Sequence, residues 1–334
     1  MNNIDFWSIN AQFITDYIAL KRSLGFKYNR EERILSQFDR FIIDQGETSI
    51  GISKNLADKW SVRTNNESEL TRYGKIVCIS QFSSYLRSIG IKSYIPQLPK
   101  HLDSNFIPHI FTYEEMNSLF KASDRLKLRH RDMGSSIFVM PCLIRMLYST
   151  GIRIGEALSL KNKDVNLTDK YLVLREVKNG VERLVPFNDT LADVCQDYLE
   201  HRNRLTVANI DKNDHPFFVS LNGINCARTT IYWWFRKTLN LAGIPFIGNR
   251  QGPRIHDVRH SFVCHSFVKL SDDGMDLYCS WPYLSIYLGH KSLESTEQYV
   301  RLTAQMYPEL LKDADRLYVD VFPDNNLNNQ NVKP

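Results

Sequence analysis

Apolar residues recur every three to four positions through the first ninety residues, the spacing that lays one face of a helix on a core. Phe13, Ile14, Tyr17, Ile18 and Leu24 mark a first helix, and Leu35, Phe38, Phe41 and Ile42 a second. A short third segment runs from Leu56 to Val62, and a fourth carries Tyr73, Ile76, Val77, Phe82 and Leu86. These stripes predict a small helical bundle over residues 9–90. The period then fails across IKSYIPQLPKHLDSNFIPH, whose three prolines predict a linker over 91–109. Directly after it, Thr112 and Glu115 have the spacing of a capping box, and Phe111 and Met116 that of a hydrophobic staple, so a second domain opens there on a helix.

One segment of that domain has the strand signature. KYLVLREVKNGVERLVPF holds two runs rich in β-branched residues around Asn179-Gly180, the pair that suits a type I′ hairpin turn. The rest reads as helical, so the predicted fold is mainly α with a small antiparallel β-sheet (α+β), the second domain covering 110–321. The polar tail over 322–334 is expected to be disordered.

A length of 334 residues with 43% hydrophobic content accommodates two such domains. A net charge of +5 permits a polyanionic partner without requiring one. The cysteines Cys78, Cys142, Cys195, Cys226, Cys264 and Cys279 form no C-x-x-C pair, which predicts free thiols and a reducing compartment. No run approaches the roughly 18 apolar residues of a membrane helix, and MNNIDFWSIN lacks the basic and apolar regions of a signal peptide. The expectation is a cytoplasmic protein with no membrane contact.

Four islands in the second domain carry candidate chemistry. They are Gly151-Ile152-Arg153-Ile154-Gly155-Glu156, Lys178 at the hairpin turn, His256-Asp257-Val258-Arg259-His260, and Leu288-Gly289-His290 with Tyr299 nine residues on. Each alone has a plain structural reading. Arg153 pairs with Glu156 at i+3 on a helix, Lys178 is a solvated turn lysine, His256 and Arg259 are satisfied locally, and Tyr299 is a packed aromatic. Together they are what phosphodiester chemistry needs. Fixed guanidinium groups at Arg153 and Arg259 match the anionic oxygens of a phosphate, whose charge grows in the transition state. Arg259 and His260 lie three and four positions after His256, so on a helix the three side chains share one face. Tyr299 has an ordinary pKa near 10, so only about one molecule in a thousand is ionised at pH 7 and attack requires help from a neighbour such as His256. The leaving sugar alkoxide needs an acid, and Lys178 is protonated at neutral pH. Cations in these positions do the work of a metal ion, and the chain has no convincing metal-ligand cluster.

At these residues the sequence resembles the tyrosine recombinase, or phage integrase, family. The resemblance is strong over 110–302, and the helical N-terminal region is similar to the family's core-binding, SAM-like domain. It implies that Arg153 and Arg259 bind the scissile phosphate, that Lys178 is general acid and His256 acid/base, and that His290 donates a hydrogen bond to the phosphate. Tyr299 is then the nucleophile, Glu156 and His260 supporting residues, and the product a 3′-phosphotyrosyl intermediate resealed without any cofactor. The implied partner is double-stranded DNA, bound by a homotetramer across two sites, with the amphipathic segment 308–319 as a helix that docks on a neighbouring subunit. The spacing from Arg259 to His290 is longer than in compact members, which predicts a loop or helix extension around KLSDDGMDLYCSWPYLS. Ser295 and Gln298 have capping-box spacing just before Tyr299. The lack of room before residue 9 for an arm-binding domain argues against the largest phage integrases, and the insertion before His290 makes integration or excision of a mobile element the expected role. The alternatives are a chromosome-dimer-resolving Xer-type recombinase, a type IB topoisomerase, and a DNA-binding protein that has lost catalysis.

Overall fold

The computed structural model describes residues 4–65, 67–100, 107–128, 132–175, 182–246, 248, 252–289, 299 and 302–303. The chain divides into two units, Met1–Phe106 and Ile107–Pro334. In the first, the apolar stripes become four helices: α1 (Ala11–Ser23), α2 (Asn29–Asp44), α3 (Lys54–Trp60) and α4 (Glu69–Ser88). Their core holds Ile14, Tyr17, Leu35, Phe38, Leu56, Ile79 and Phe82. Ser53 and Ser68 cap α3 and α4 through their hydroxyls, each taking an otherwise unsatisfied backbone N–H of the first turn.

The second unit is organised around α6 (Met140–Thr150), which is apolar on nearly every side because α5 (Tyr113–Asp124), α8 (Asp189–Arg202), α9 (Arg228–Leu241) and α10 (Asp257–Asp272) all pack on it. The Thr112–Glu115 capping box opens α5 as its spacing predicts, and Phe111 and Met116 are buried in one core cluster. A short α7 (Ile154–Ser159) follows α6. The extension before His290 folds as the end of α10 and a further helix, α11 (Leu277–Leu288), which holds Pro282 within it.

The hairpin is part of a three-stranded antiparallel sheet in the order β1 (Val165–Asn166), β2 (Tyr171–Leu174), β3 (Arg183–Pro186). β1 is too short to be seen as a hydrophobic pattern. Leu172 pairs with Val185 and Leu174 with Arg183, so the core-facing side is made by Leu172, Leu174 and Val185. The Asn179-Gly180 turn, the Ser295–Gln298 spacing, the segment 308–319 and the tail 322–334 lie outside the described residues. All six cysteines are free thiols; Cys142 and Cys195 lie 3.7 Å apart, far beyond a disulfide bond. Among the described residues no helix is long and apolar enough to cross a membrane.

Candidate active site

α6 ends at Gly151, which takes the left-handed conformation (φ 60°) that favours glycine. This sharp exit turns the chain so that Arg153 becomes the residue before α7, not a residue on a helix surface. Glu156, in the first turn of α7, reaches back and accepts from the Arg153 backbone N–H (2.9 Å) and from Arg153 Nη1 (2.9 Å). The carboxylate is 4% exposed. Burial presses its pKa up, but the Arg153 N–H and the charge of Arg183 outweigh that and hold the carboxyl below its ordinary value. It is therefore an anion fixed inside the protein.

Arg183 is a member of this group that the sequence reading missed. Its Nη2 and Nη1 lie 3.0 and 3.4 Å from the two Glu156 oxygens. The available signal was the two-residue period of the strand: if Val185 faces the core, so does Arg183, and a cation at an inward position is out of place in a structural hairpin.

Arg259 lies in the first turn of α10 and is 2% exposed. Its Nη1 donates to the Gly151 carbonyl (2.5 Å) and its Nη2 to the Leu288 carbonyl (3.1 Å). One guanidinium thus ties the end of α6 to the end of α11, joining motifs over a hundred residues apart. Burial, then the charges of Arg153 and Arg183, lower its pKa to about 10, with Tyr299 acting in the opposite sense. At neutral pH it stays charged.

His256 immediately precedes α10, and its pKa is lowered to about 4 by burial and by Arg259, Arg153 and Arg254. It is a neutral ring at physiological pH, able to accept a proton. His260 packs edge-on against it with ring centroids 4.9 Å apart, and Tyr299 lies 5.2 Å beyond His260. His260 therefore sits between the expected acid/base and the expected nucleophile. Tyr299 is buried among Val263, Cys264, Phe267, Leu284 and Leu288. Burial raises its pKa, and the charge and hydrogen bonding of Arg259 only partly offset this, so the resting side chain is a phenol.

The fold thus brings together Arg153, Glu156, His256, Arg259, His260 and Tyr299, and adds Arg183. Lys178 and His290 lie outside the described residues. Arg153 and Arg183 share one buried carboxylate while Arg259 is held by two backbone carbonyls, which leaves excess positive charge beside a neutral histidine and a tyrosine. Such a cluster is costly to bury unless an anion completes it. A cleft of about 660 Å³ opens beside His256, lined by Tyr232, Trp233 and Arg236 of α9 and by Phe246 and Arg254. Among the described residues no group of His, Cys, Asp and Glu is arranged to hold a metal ion.

The protein y4rB of Sinorhizobium fredii, which carries an integrase/recombinase name, is 29% identical over 308 residues, covering 91% of this chain and 95% of y4rB. The tyrosine recombinase XerC of Chlamydia caviae is 28% identical over 253 residues, covering 72% of this chain and 70% of XerC. The integrase of the transposon Tn1549, solved in complex with transposon right end DNA, has the same fold with a TM-score of 0.61 at 18% identity, covering 93% of this chain and 99% of that one. Residues 109–306 match the phage integrase family. The chain belongs to that family, the tyrosine recombinases, which break and rejoin DNA in site-specific recombination.

Proposed function

We propose that this protein integrates or excises a mobile DNA element, cleaving and rejoining strands through a 3′-phosphotyrosyl bond at Tyr299. The observation that carries the reading is the excess of buried guanidinium charge at Arg153, Arg183 and Arg259 next to the Tyr299 phenol and the neutral His256. Arg153 and Arg259 bind the non-bridging oxygens of the scissile phosphate. Tyr299 Oη attacks phosphorus while His256, or His260 between them, takes the phenolic proton. The bond to the 5′ oxygen breaks, and Lys178 protonates the departing alkoxide. His290 donates a further hydrogen bond to the phosphate, and Glu156 orients Arg153. A 5′-hydroxyl from a second strand then attacks the phosphotyrosine, releasing Tyr299 and restoring the diester with no net change in bond type. The acting assembly is a homotetramer on two DNA duplexes, held partly through residues 308–319. Phosphate contacts make its affinity strongly salt-dependent.

A mobile-element role draws support from the integrase/recombinase name of y4rB and from the likeness to the Tn1549 integrase along nearly the whole chain. The similarity to XerC favours a second reading, resolution of chromosome dimers. The test of the chemistry is denaturing electrophoresis after incubation with a nicked duplex built on the sequence that the protein itself enriches from a random pool. Wild type is expected to leave a covalent protein–DNA adduct and Tyr299→Phe none; an adduct of equal yield in both sinks the assignment. Strand exchange between two duplexes separates a recombinase from a topoisomerase.

A further inference from the structure

β3 inverts the usual order of its strand. Arg183 shares the core-facing side with Val185 and lies opposite Leu174, whereas Leu184 points to solvent at 63% exposure. A strand that turns a leucine outward and an arginine inward gives up apolar burial and desolvates a cation. What compensates is the Glu156 carboxylate, met by both terminal nitrogens of Arg183. That same carboxylate holds the backbone N–H and the guanidinium of Arg153. The direction in which Arg153 points is therefore set by where Arg183 holds Glu156.

Arg183 also abuts the other side of the site. A Cβ on Gly289 would lie 2.7 Å from Arg183 Nη1 and 3.0 Å from its Cζ, so the guanidinium rests against this glycine, which has φ +64°. Gly289 follows Leu288, whose carbonyl takes Arg259 Nη2, and precedes His290. The Nε of Arg183 is buried without a hydrogen-bond partner among the described residues.

We propose that Arg183 is a positioning residue for strand cleavage. It locks Arg153 through Glu156 and seats the Leu288–Gly289 turn, so that both phosphate-binding arginines are aimed before DNA arrives. This rests on the reading of Arg153 and Arg259 as phosphate ligands. Preorganisation of this kind acts on the rate of the chemical step, because a displacement of about 1 Å in a charge that meets the transition state costs about 10²-fold.

The test is a rate cycle on the nicked duplex described above, measuring single-turnover formation of the Tyr299 adduct and, separately, duplex affinity. Arg183→Lys keeps a cation opposite the buried carboxylate and so retains the fold, but loses the two-pronged grip. It is expected to slow adduct formation about 10-fold and Arg183→Met about 10²-fold, with affinity for the duplex within about twofold of wild type. In an Arg153→Lys background, which keeps a charge at the phosphate and a measurable rate, the Arg183→Lys deficit should shrink to the part carried by the Leu288–Gly289 turn and Arg259, since the route through Arg153 is already lost. Deficits that multiply overturn the proposal, as does a wild-type rate in Arg183→Lys or a loss of affinity equal to the loss of rate. If Arg183→Met does not fold, Arg183→Lys decides by the same criteria. Absence of any adduct from wild type would instead overturn the cleavage reading itself, and this proposal with it.

Discussion

Replacing Gly151 with alanine separates two physical demands made at the end of α6. The first is conformational: φ is 60°, and an L side chain in the left-handed region costs about 1–2 kcal/mol. The second is spatial. A Cβ there would lie 2.2 Å from Cδ1 and 2.6 Å from Cε1 of Phe262. The Phe262 ring has little room to yield, since it packs on Tyr287 with centroids 5.9 Å apart, so overpacking adds about 1–3 kcal/mol. The sum is about 3 kcal/mol, which lowers the melting midpoint of a unit this size by about 6–12 °C. Gly243, after α9, supplies the control. Its φ is +73° with nothing within 4 Å of an added Cβ, so Gly243→Ala carries the backbone cost alone and a shift of about 2–8 °C. Calorimetric melts of the two variants beside wild type read the difference. The reasoning is refuted if Gly151→Ala melts no lower than Gly243→Ala, for then the contact with Phe262 exerts no force.

Two further outcomes follow from buried titratable groups. His265, with Tyr148 Oη 2.7 Å from its Nδ1 and the Tyr113 ring stacked 4.1 Å away, has its pKa lowered to about 4 by burial. The unfolded chain, with an ordinary histidine pKa near 6.5, takes up more protons between these values. Stability is thus present above pH about 6.5 and lost as pH falls toward 4, by on the order of 1–2 kcal/mol at pH 5. Urea midpoints at pH 7 and pH 5 should fall less for His265→Asn than for wild type, and an identical fall removes His265 as a cause. Five of the six thiols are buried and Cys279 is exposed, so a thiol reagent should label one cysteine quickly in the native protein and six in denaturant. Rapid native labelling of Cys142 or Cys195 would contradict the packing of α8 on α6.

Much of the chain was legible because its elements are set by local physics. The four N-terminal helices follow from apolar period alone, and the Thr112–Glu115 box opens α5 because both hydrogen bonds close within four residues. The extension around KLSDDGMDLYCSWPYLS was legible only as extra length, since Pro282 within α11 masks the usual helix signature. The two-residue period of β3 puts Arg183 on the side of Val185, but an inward arginine acquires a meaning only against Glu156, which lies 27 residues away along the chain.

By itself the sequence determined the kinds of chemistry available: an ordered set of guanidinium, imidazole, ammonium and phenol groups whose charges suit a phosphodiester. It also determined the helical character and the place of the hairpin, because those depend on neighbours a few residues apart. The tertiary structure decided how the charges are held. Arg259 links Gly151 to Leu288, Arg183 and Arg153 share Glu156, and His260 intervenes between His256 and Tyr299. Those contacts join residues far apart along the chain, so no local pattern encodes them. Burial, which lowers His256 and raises Tyr299 in pKa, likewise exists only once the helices have packed.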